Sequence, residues 1–479
     1  MISKDLQENK IKIKELFNNS SDLILYEFKT LADDMALVVY INGFIDKNAL
    51  NQNILKPLMQ NLISPLDIKS TVLISGMEES DSMDDVITAI NFGNVILFHE
   101  GLEICYFLNL SSYEKRVVEQ SENEQVLKGP KEAFVEDIGV NKTLIRRKIR
   151  NKDLVFEDYV FGEQTNTKVS IFYMNGIVNM EVLEELKQRL GKIKIDSVLD
   201  ISYIEEYIDD EPRSSINTMY NTEKPDVAAG KILEGRVGLL CDGSPNVITV
   251  PKVLIESYMT PEDYYLKPIH GSYLRLIRFV SYFISVTLAG VYISLANFHQ
   301  EMIPTDLLIS MARQREGVPL PSFLEALLMI LFFEFLKEAG LRLPKAVGQT
   351  ATIVGGLVIG QAAVDAGLVS AVMVIIVAAS GITEFVNPQL KAITISSRLF
   401  IFMLGSAFGL YGVVCGILII IFRVISIRSF GVPYLYPLAP YDKEGMKDAF
   451  FRKSLKEMNY RPKYISSIYS RRRRRKRSK

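Results

Sequence analysis

Between Phe279 and Gln300 no residue carries a formal charge, and the run contains FVSYFISVTLAGVYISLANF. At about 1.5 Å of rise per residue, a helix of this length crosses a hydrocarbon core of about 30 Å. No other feature restricts the fold of this 479-residue chain as strongly. Three more charge-free windows follow, Ala346 to Val364, Ala366 to Thr383, and Leu399 to Phe422 between Arg398 and Arg423. Asp365 and Gly367 separate the first two of these, which read as a tight helical hairpin. A membrane domain at 271–428 with about four transmembrane helices is therefore expected.

One apolar stretch resists that count. SFLEALLMILFFEFLKEAGLRLP, Ser322 to Pro344, carries Glu325, Glu334, Lys337 and Glu338, and its charge-free core runs only from Ala326 to Phe333. The charged opening MISKDLQENKIKIKEL lacks the apolar core of a signal peptide, so what precedes the first span is expected to stay in the cytoplasm. The closing RRRRRKRSK is expected there too, by the positive-inside rule. Four spans put both termini on the cytoplasmic side and five would not, so 322–340 is expected to be re-entrant or interfacial. Glu334 and Glu338 share a helix face at i,i+4 spacing, as do Glu338 and Arg342, whereas Glu325 lies about 180° away from Glu334. That placement is poor for paired acid and base chemistry. A structural ion pair of Glu338 with Arg342 or Lys337 is the plain reading of these charges.

The first half has no run long enough to span. Short apolar runs such as ALVVYING and VSIFYMNG alternate with helical stretches, as in an α/β fold. YINGFID at Tyr40 to Asp46 matches YMNGIVN at Tyr173 to Asn179, and FGNVILFHEG at Phe92 to Gly101 resembles EGRVGLLCDG at Glu234 to Gly243. Two small copies of one α/β unit are expected, at 21–128 and 153–270. An N-terminal segment 1–20, a basic amphipathic linker 129–152 that holds the copies together, and a C-terminal segment 429–479 complete the plan. Glu100-Gly101 and Asp242-Gly243 fit tight hairpin turns; turn chemistry accounts for Asp242 without a catalytic role.

Nothing points to an enzyme. There is no phosphate-binding GxxxxGK[ST], no GxGxxG after a strand and no HExxH. The histidines are His99, His270 and His299; Cys105, Cys241 and Cys415 lie far apart without CxxC spacing. No catalytic, cofactor or metal site is expected.

Small residues mark the spans. Gly356 and Gly360 have GxxxG spacing, and Gly405/Gly409 and Gly412/Gly416 repeat it, a device for close helix packing within one chain or between copies. Gln361 and Asp365 share one face of the hairpin's first helix, with Val354 and Val358 on the same general stripe. Such a stripe either lines a narrow pore with an apolar gate or serves a helix–helix hydrogen bond.

Longer motifs carry a resemblance. EGRVGLLCDGSPNVITVP (Glu234 to Pro251), EDYY (Glu262 to Tyr265), FHQEMIPTDLL (Phe298 to Leu308), KEAGLRLP (Lys337 to Pro344), IVGGLVIGQAAVDAGLVS (Ile353 to Ser370) and SFGVPYLYPLAP (Ser429 to Pro440) resemble the A subunit of GerA-type spore germination receptors. The resemblance runs in order from about residue 20 to 445. It implies a protein of the endospore inner membrane, working with a transporter-like B subunit and a lipoprotein C subunit. It also implies self-assembly into a ligand-gated channel that releases monovalent cations. In that picture Val354, Val358, Gln361 and Asp365 are pore-lining candidates, and Glu334, Glu338 and Arg342 are coupling candidates beside the pore hairpin. A solute transporter component and a non-conducting signalling scaffold are the alternatives. The basic tail reads as a contact with anionic lipid headgroups, with nucleic acid the competing partner.

Overall fold

The computed structural model describes residues 1–111, 124, 126, 128–467, 471 and 472; the side chains of residues 66, 345–347 and 349–354 also lie outside the description. Most of the basic tail, 473–479, is outside the described residues.

Two five-stranded antiparallel sheets fill the first half. The first contains β1 (Leu23–Lys29), β2 (Met35–Ile41), β3 (Glu78–Ser80), β4 (Val95–His99) and β5 (Cys105–Leu108) in the order β1-β2-β4-β5-β3. The second contains β6 (Leu154–Phe161), β7 (Thr167–Met174), β8 (Tyr220–Thr222), β9 (Val237–Cys241) and β10 (Val247–Val250) in the order β6-β7-β9-β10-β8. The identical order is the duplication seen in three dimensions. β4 and β9 are buried at every position, because both faces of each sheet are covered. In the second unit Ile171 and Leu239 pack into one core and Phe172 and Leu240 into another.

The repeated motif has a repeated cause. Gly43 and Gly176 turn the chain at positive φ, 85° and 76°. Asp46 then accepts from the backbone of Asn48 and Ala49, and Asn179 from Glu181, so each copy caps the helix that follows. The second-copy helix is Met180–Leu190; the first, over 47–61, holds a π turn at Asn51–Leu55. Gly101 and Gly243 sit at φ 84° and 83° in the β4–β5 and β9–β10 connections, so the expected turns are present. Asp242 accepts from the backbone of Ile138 in one of them, a structural contact.

Three segments outside the two units are tied to them. Helix α1 (Leu6–Leu16) and Phe17 send Leu6, Ile13 and Phe17 into the first core. The linker helix α2 (Ile138–Lys148) carries Arg146, whose guanidinium holds Asp22 at 2.9 and 2.8 Å in full burial and so fastens copy to copy. Removing one partner of such a pair strands a buried charge at a cost of about 3–5 kcal/mol. Phe430, Tyr434, Tyr436 and Ile465 of the C-terminal segment enter the core of the second unit.

The second half is a bundle. Helix α3 (Pro225–Leu233) closes the second unit, and α4 (Pro268–Phe298) leaves it. Where α4 starts, Arg275 and Arg278 grip the buried Asp263 carboxylate at 2.8 Å each. Helix α5 (Thr305–Arg315) lies at the far end with only Met311 buried. Helix α6 (Ser322–Arg342) begins beside the end of α4, with Ser322 donating to Asn297 at 3.0 Å, and runs back. Helix α7 (Lys345–Asp365) reverses at Pro344, and α8 (Ala371–Glu384) reverses again after Gly367 at φ 65°. The hairpin expected at 346–383 is present.

The last helical segment, α9 (Lys391–Ser426), corrects the reading of Leu399 to Phe422 as one straight span. It breaks at Gly409 (φ 62°, ψ −148°), in a region open essentially to glycine alone. The two legs then lie against each other: a Cβ on Gly416 would stand 3.2 Å from Ile401 Cγ1, although 15 residues of straight helix span about 22 Å. Ile393 and Val424 both join the core of the second unit, while the turn at Gly409 touches Phe298 and His299 at the far end of α4. Six roughly antiparallel helical legs result among the described residues. The packing does not confirm the expectation of about four spans with 322–340 re-entrant or interfacial. The 21-residue α6 lies along α7 and α8, with Leu336 beside Gly355 and Phe333 against Gly381. Among the described residues, two helical segments, Pro268–Phe298 and Pro388–Ser426 with its break at Gly409, are by length and composition apolar enough to cross a membrane, and Ala371–Glu384 is a shorter apolar helix.

Candidate functional site

Helix α7 presents an uncovered face. Val358, Gln361 and Asp365 are all exposed along it, flanked by exposed Leu357 and Ile359. No described residue hydrogen-bonds the Gln361 or Asp365 side chain. Val354 falls on the same helical stripe, but its side chain lies outside the described residues. Gly356 opens onto this free surface, with nothing within 4 Å of the place a Cβ would occupy, whereas a Cβ on Gly360 would touch Val374 at 3.5 Å. Among the described residues, Gly356 is not a point of close packing.

Behind α7, four charges meet. Lys337 of α6 reaches Glu384 of α8 at 2.7 Å and Glu334 at 2.8 Å. Arg398 of α9 bonds Glu384 at 3.1 Å and also Glu334. The side chains of Lys337, Glu384 and Arg398 are 6%, 3% and 3% exposed, so three of the four are out of solvent. Two cations and two carboxylates close a neutral ring that joins three helices. Each charge satisfies the next, which is the condition for keeping charge in an apolar bundle. Sequence reading missed this ring because it took Arg398 as a span boundary and passed over Glu384. The available signal was an isolated charge at each border of an apolar window.

The coupling candidates thus divide. Glu334 belongs to the buried ring. Glu338 and Arg342 do pair, at 2.5 Å, but on an exposed surface with side chains 58% and 79% accessible. Glu325, fully buried, accepts from the backbone and hydroxyl of Ser370 at 2.6 and 2.5 Å, which ties α6 to the first turn of α8.

The hairpin glycines act inside the chain. A Cβ on Gly405 would meet the Gly290 carbonyl at 2.9 Å, and one on Gly412 would overlap the Leu404 carbonyl at 2.0 Å. Gly409 makes the turn, and Gly416 lets the second leg approach the first. Close backbone approach replaces side-chain burial here, as in membrane helix pairs.

The bundle is joined to the α/β part through charge. Besides Asp263, Arg275 bonds Asp448 of the C-terminal segment at 2.9 Å, and Arg452 donates to the Asp263 carbonyl at 2.6 Å. Asn387, at the return of α8, donates to the Arg278 carbonyl at 2.7 Å. These contacts tie the α/β units to α4 and to the loop before α9.

Among the described residues no group of three His, Cys, Asp or Glu is placed to hold a metal ion. Cys105 and Cys241 are free and buried, and burial pushes both thiols up to about 12. Neither is poised as a nucleophile.

A duplicated α/β module bolted to an apolar bundle, whose buried charges are neutralised in place, defines a two-part protein with an α/β head and an apolar helical body. The chain belongs to the GerA family, the A subunits of spore germination receptors: the family described as Bacillus/Clostridium GerA spore germination protein matches residues 11–464. Spore germination protein KA of Bacillus subtilis (strain 168) is 40% identical over 478 residues, covering 97% of this chain and 88% of that protein. Spore germination protein GerLA of Bacillus cereus is 34% identical over 466 residues, covering 95% and 94%. A further B. subtilis relative, 35% identical over 96% of this chain and 91% of its own length, is named uncharacterized membrane protein YfkQ. The crystal structure of the N-terminal domain of the A subunit of the Bacillus megaterium spore germinant receptor GerK3 aligns at 31% identity, covering 52% of this chain and 95% of that chain, with a TM-score of 0.40.

Proposed function

We propose that this A subunit assembles with copies of itself in the endospore inner membrane and forms a nutrient-gated path for monovalent cations, with α7 facing the central axis. The observation that carries this reading is the uncovered stripe Val358, Gln361 and Asp365. A free carboxylate and a free amide facing lipid cost several kcal/mol at membrane depth, by about +2.5–3.5 kcal/mol for an Asp on insertion scales. Facing water in a pore, or another copy, they cost far less. Val354 and Val358 form the apolar gate level, and Gln361 and Asp365 the polar level beyond it.

An even number of crossings puts both termini on the side of the α/β units, as the positive-inside argument requires. A transporter-like B subunit senses the nutrient, a lipoprotein C subunit completes the complex, and the basic tail rests on anionic lipid. The signal enters through the head and the Asp263–Arg275–Arg278 joint and reaches the pore helix through the ring of Glu334, Lys337, Glu384 and Arg398. Conductance of the purified complex in liposomes, with and without nutrient, tests the proposal. Val354→Ser and Val358→Ser should each raise nutrient-independent flux at least about tenfold, a barrier change of about 1.4 kcal/mol. Unchanged flux in both variants, with the assembly intact, excludes α7 as the pore wall.

A further inference from the structure

A cavity of about 480 Å3 opens between α3, the segment 253–265 and the C-terminal residues 436–465 with Arg472. None of the roles proposed above uses it. Its wall is largely apolar and aromatic, with Tyr220, Met259, Tyr264 and Tyr265 among the lining residues. Into this wall the fold places a charged strip. Arg236, 2% exposed, bonds Glu234 at 2.7 Å and also Glu256; Lys231 bonds Glu256; Arg472 bonds Glu234 at 2.5 Å.

The charges on that strip do not balance. Among the described residues, the ion pairs of Lys231, Arg236 and Arg472 are made with the carboxylates of Glu234 and Glu256. The other lining acids are engaged elsewhere: Asp226 accepts from Tyr265 at 2.6 Å and lies 3.8 Å from Lys224, Asp448 faces Arg275, and Glu444 faces Lys447. Within this bonded strip three cations meet two carboxylates, and Arg461, which donates to the Leu233 carbonyl at 2.6 Å, lines the same cavity. Gly230 lines the cavity from inside α3, where glycine weakens a helix relative to alanine. A Cβ at Gly230 would meet nothing within 4 Å, so packing does not demand the glycine.

We propose that this cavity is a binding site for a compact organic acid, its carboxylate seated on the Lys231–Arg236–Arg472 strip and its apolar or aromatic body against the tyrosines. The site is linked to the bundle by two bonds. Tyr264 lines the cavity and donates to Asp448 at 2.9 Å, and Asp448 accepts from Arg275 of α4 at 2.9 Å. A filled cavity holds Tyr264 and so steadies the root of α4.

Calorimetric titration of the full-length chain in detergent tests the site with three probes of one shape, benzoate, benzamide and benzylamine, and with inorganic phosphate. Benzoate should bind saturably, with the other three at least about tenfold weaker, which is about 1.4 kcal/mol. Gly230→Phe, which adds a ring at a lining position where a Cβ meets nothing within 4 Å, should reduce benzoate affinity at least about tenfold at unchanged melting temperature, and Arg472→Gln should weaken it less. Amide hydrogen exchange over 268–278 should slow with benzoate in the unmodified protein and not in Tyr264→Phe. Absent benzoate binding, equal binding of the neutral and cationic probes, or undiminished binding in a folded Gly230→Phe protein would overturn the site. Phosphate binding as tightly as benzoate would overturn the organic body, and exchange insensitive to bound benzoate would overturn the link to α4.

Discussion

Arg398 and Glu384, fourteen residues apart, meet at 3.1 Å inside an apolar bundle, and the same Glu384 carboxylate holds Lys337 of a third helix at 2.7 Å. One carboxylate therefore pins three helices. Glu384→Gln leaves two buried cations with Glu334 alone and should destabilise the protein by about 3–5 kcal/mol. Glu384→Leu combined with Lys337→Met removes one charge of each sign and should cost less than either single change. Melting temperatures in one detergent rank the variants; a single variant as stable as the parent would remove the ring as the brace.

The turn at Gly409 gives a second test. With its positive φ and with Phe298 Cβ 3.0 Å from the place a Cβ would occupy, Gly409→Ala should cost at least about 1–3 kcal/mol. A cysteine pair at Ile401 and Gly416 should cross-link readily under mild oxidation, because a Cβ on Gly416 stands 3.7 Å from the Ile401 Cα. A straight last helix would separate those positions by about 22 Å and give no cross-link.

Glu338 and Arg342 form an exposed pair, for which a double-mutant cycle should return about 0–1 kcal/mol. Charge reversal at Glu338 followed by reversal at Arg342 tests their coupling role by germination rate. Rescue of a Glu338 defect by the second change supports coupling through this pair, and indifference to both assigns the pathway to Glu334 and the buried ring.

Lys252 supplies a pH test outside the bundle. Burial pushes its ammonium down to about 8, below the usual value of about 10.4 that it regains on unfolding. Below pH 8 both states are protonated and the burial penalty is fully present. Between about 8 and 10.4 the unfolded chain holds more protons, so this residue's contribution to stability improves as pH rises. Relative to Lys252→Met, the parent should gain in melting temperature from pH 8 to pH 10. A difference constant across that window would show that Lys252 is not held in this way.

Much of the architecture was legible because it is written locally. The copies YINGFID and YMNGIVN carry their own turn glycines and caps, and the sheets they lead into have the same strand order. Gln361 and Asp365 were placed on one stripe by spacing alone, and the structure leaves that stripe uncovered. The ring of Glu334, Lys337, Glu384 and Arg398 was not legible, since nothing near Arg398 in sequence announces a partner 64 residues away. The C-terminal segment was read as a separate tail, yet Tyr434 and Tyr436 complete the core of the second unit.

The sequence by itself determined the duplicated head and the apolar windows, because side-chain periodicity, glycine turns and charge-free length act within a few residues of each other. Tertiary structure decided where the charged helix Ser322–Arg342 lies and that the last window folds back on itself. Both outcomes depend on distant partners: a buried charge is tolerated only where opposite charges arrive from other helices, and Gly409 turns only where two legs and the end of α4 close around it.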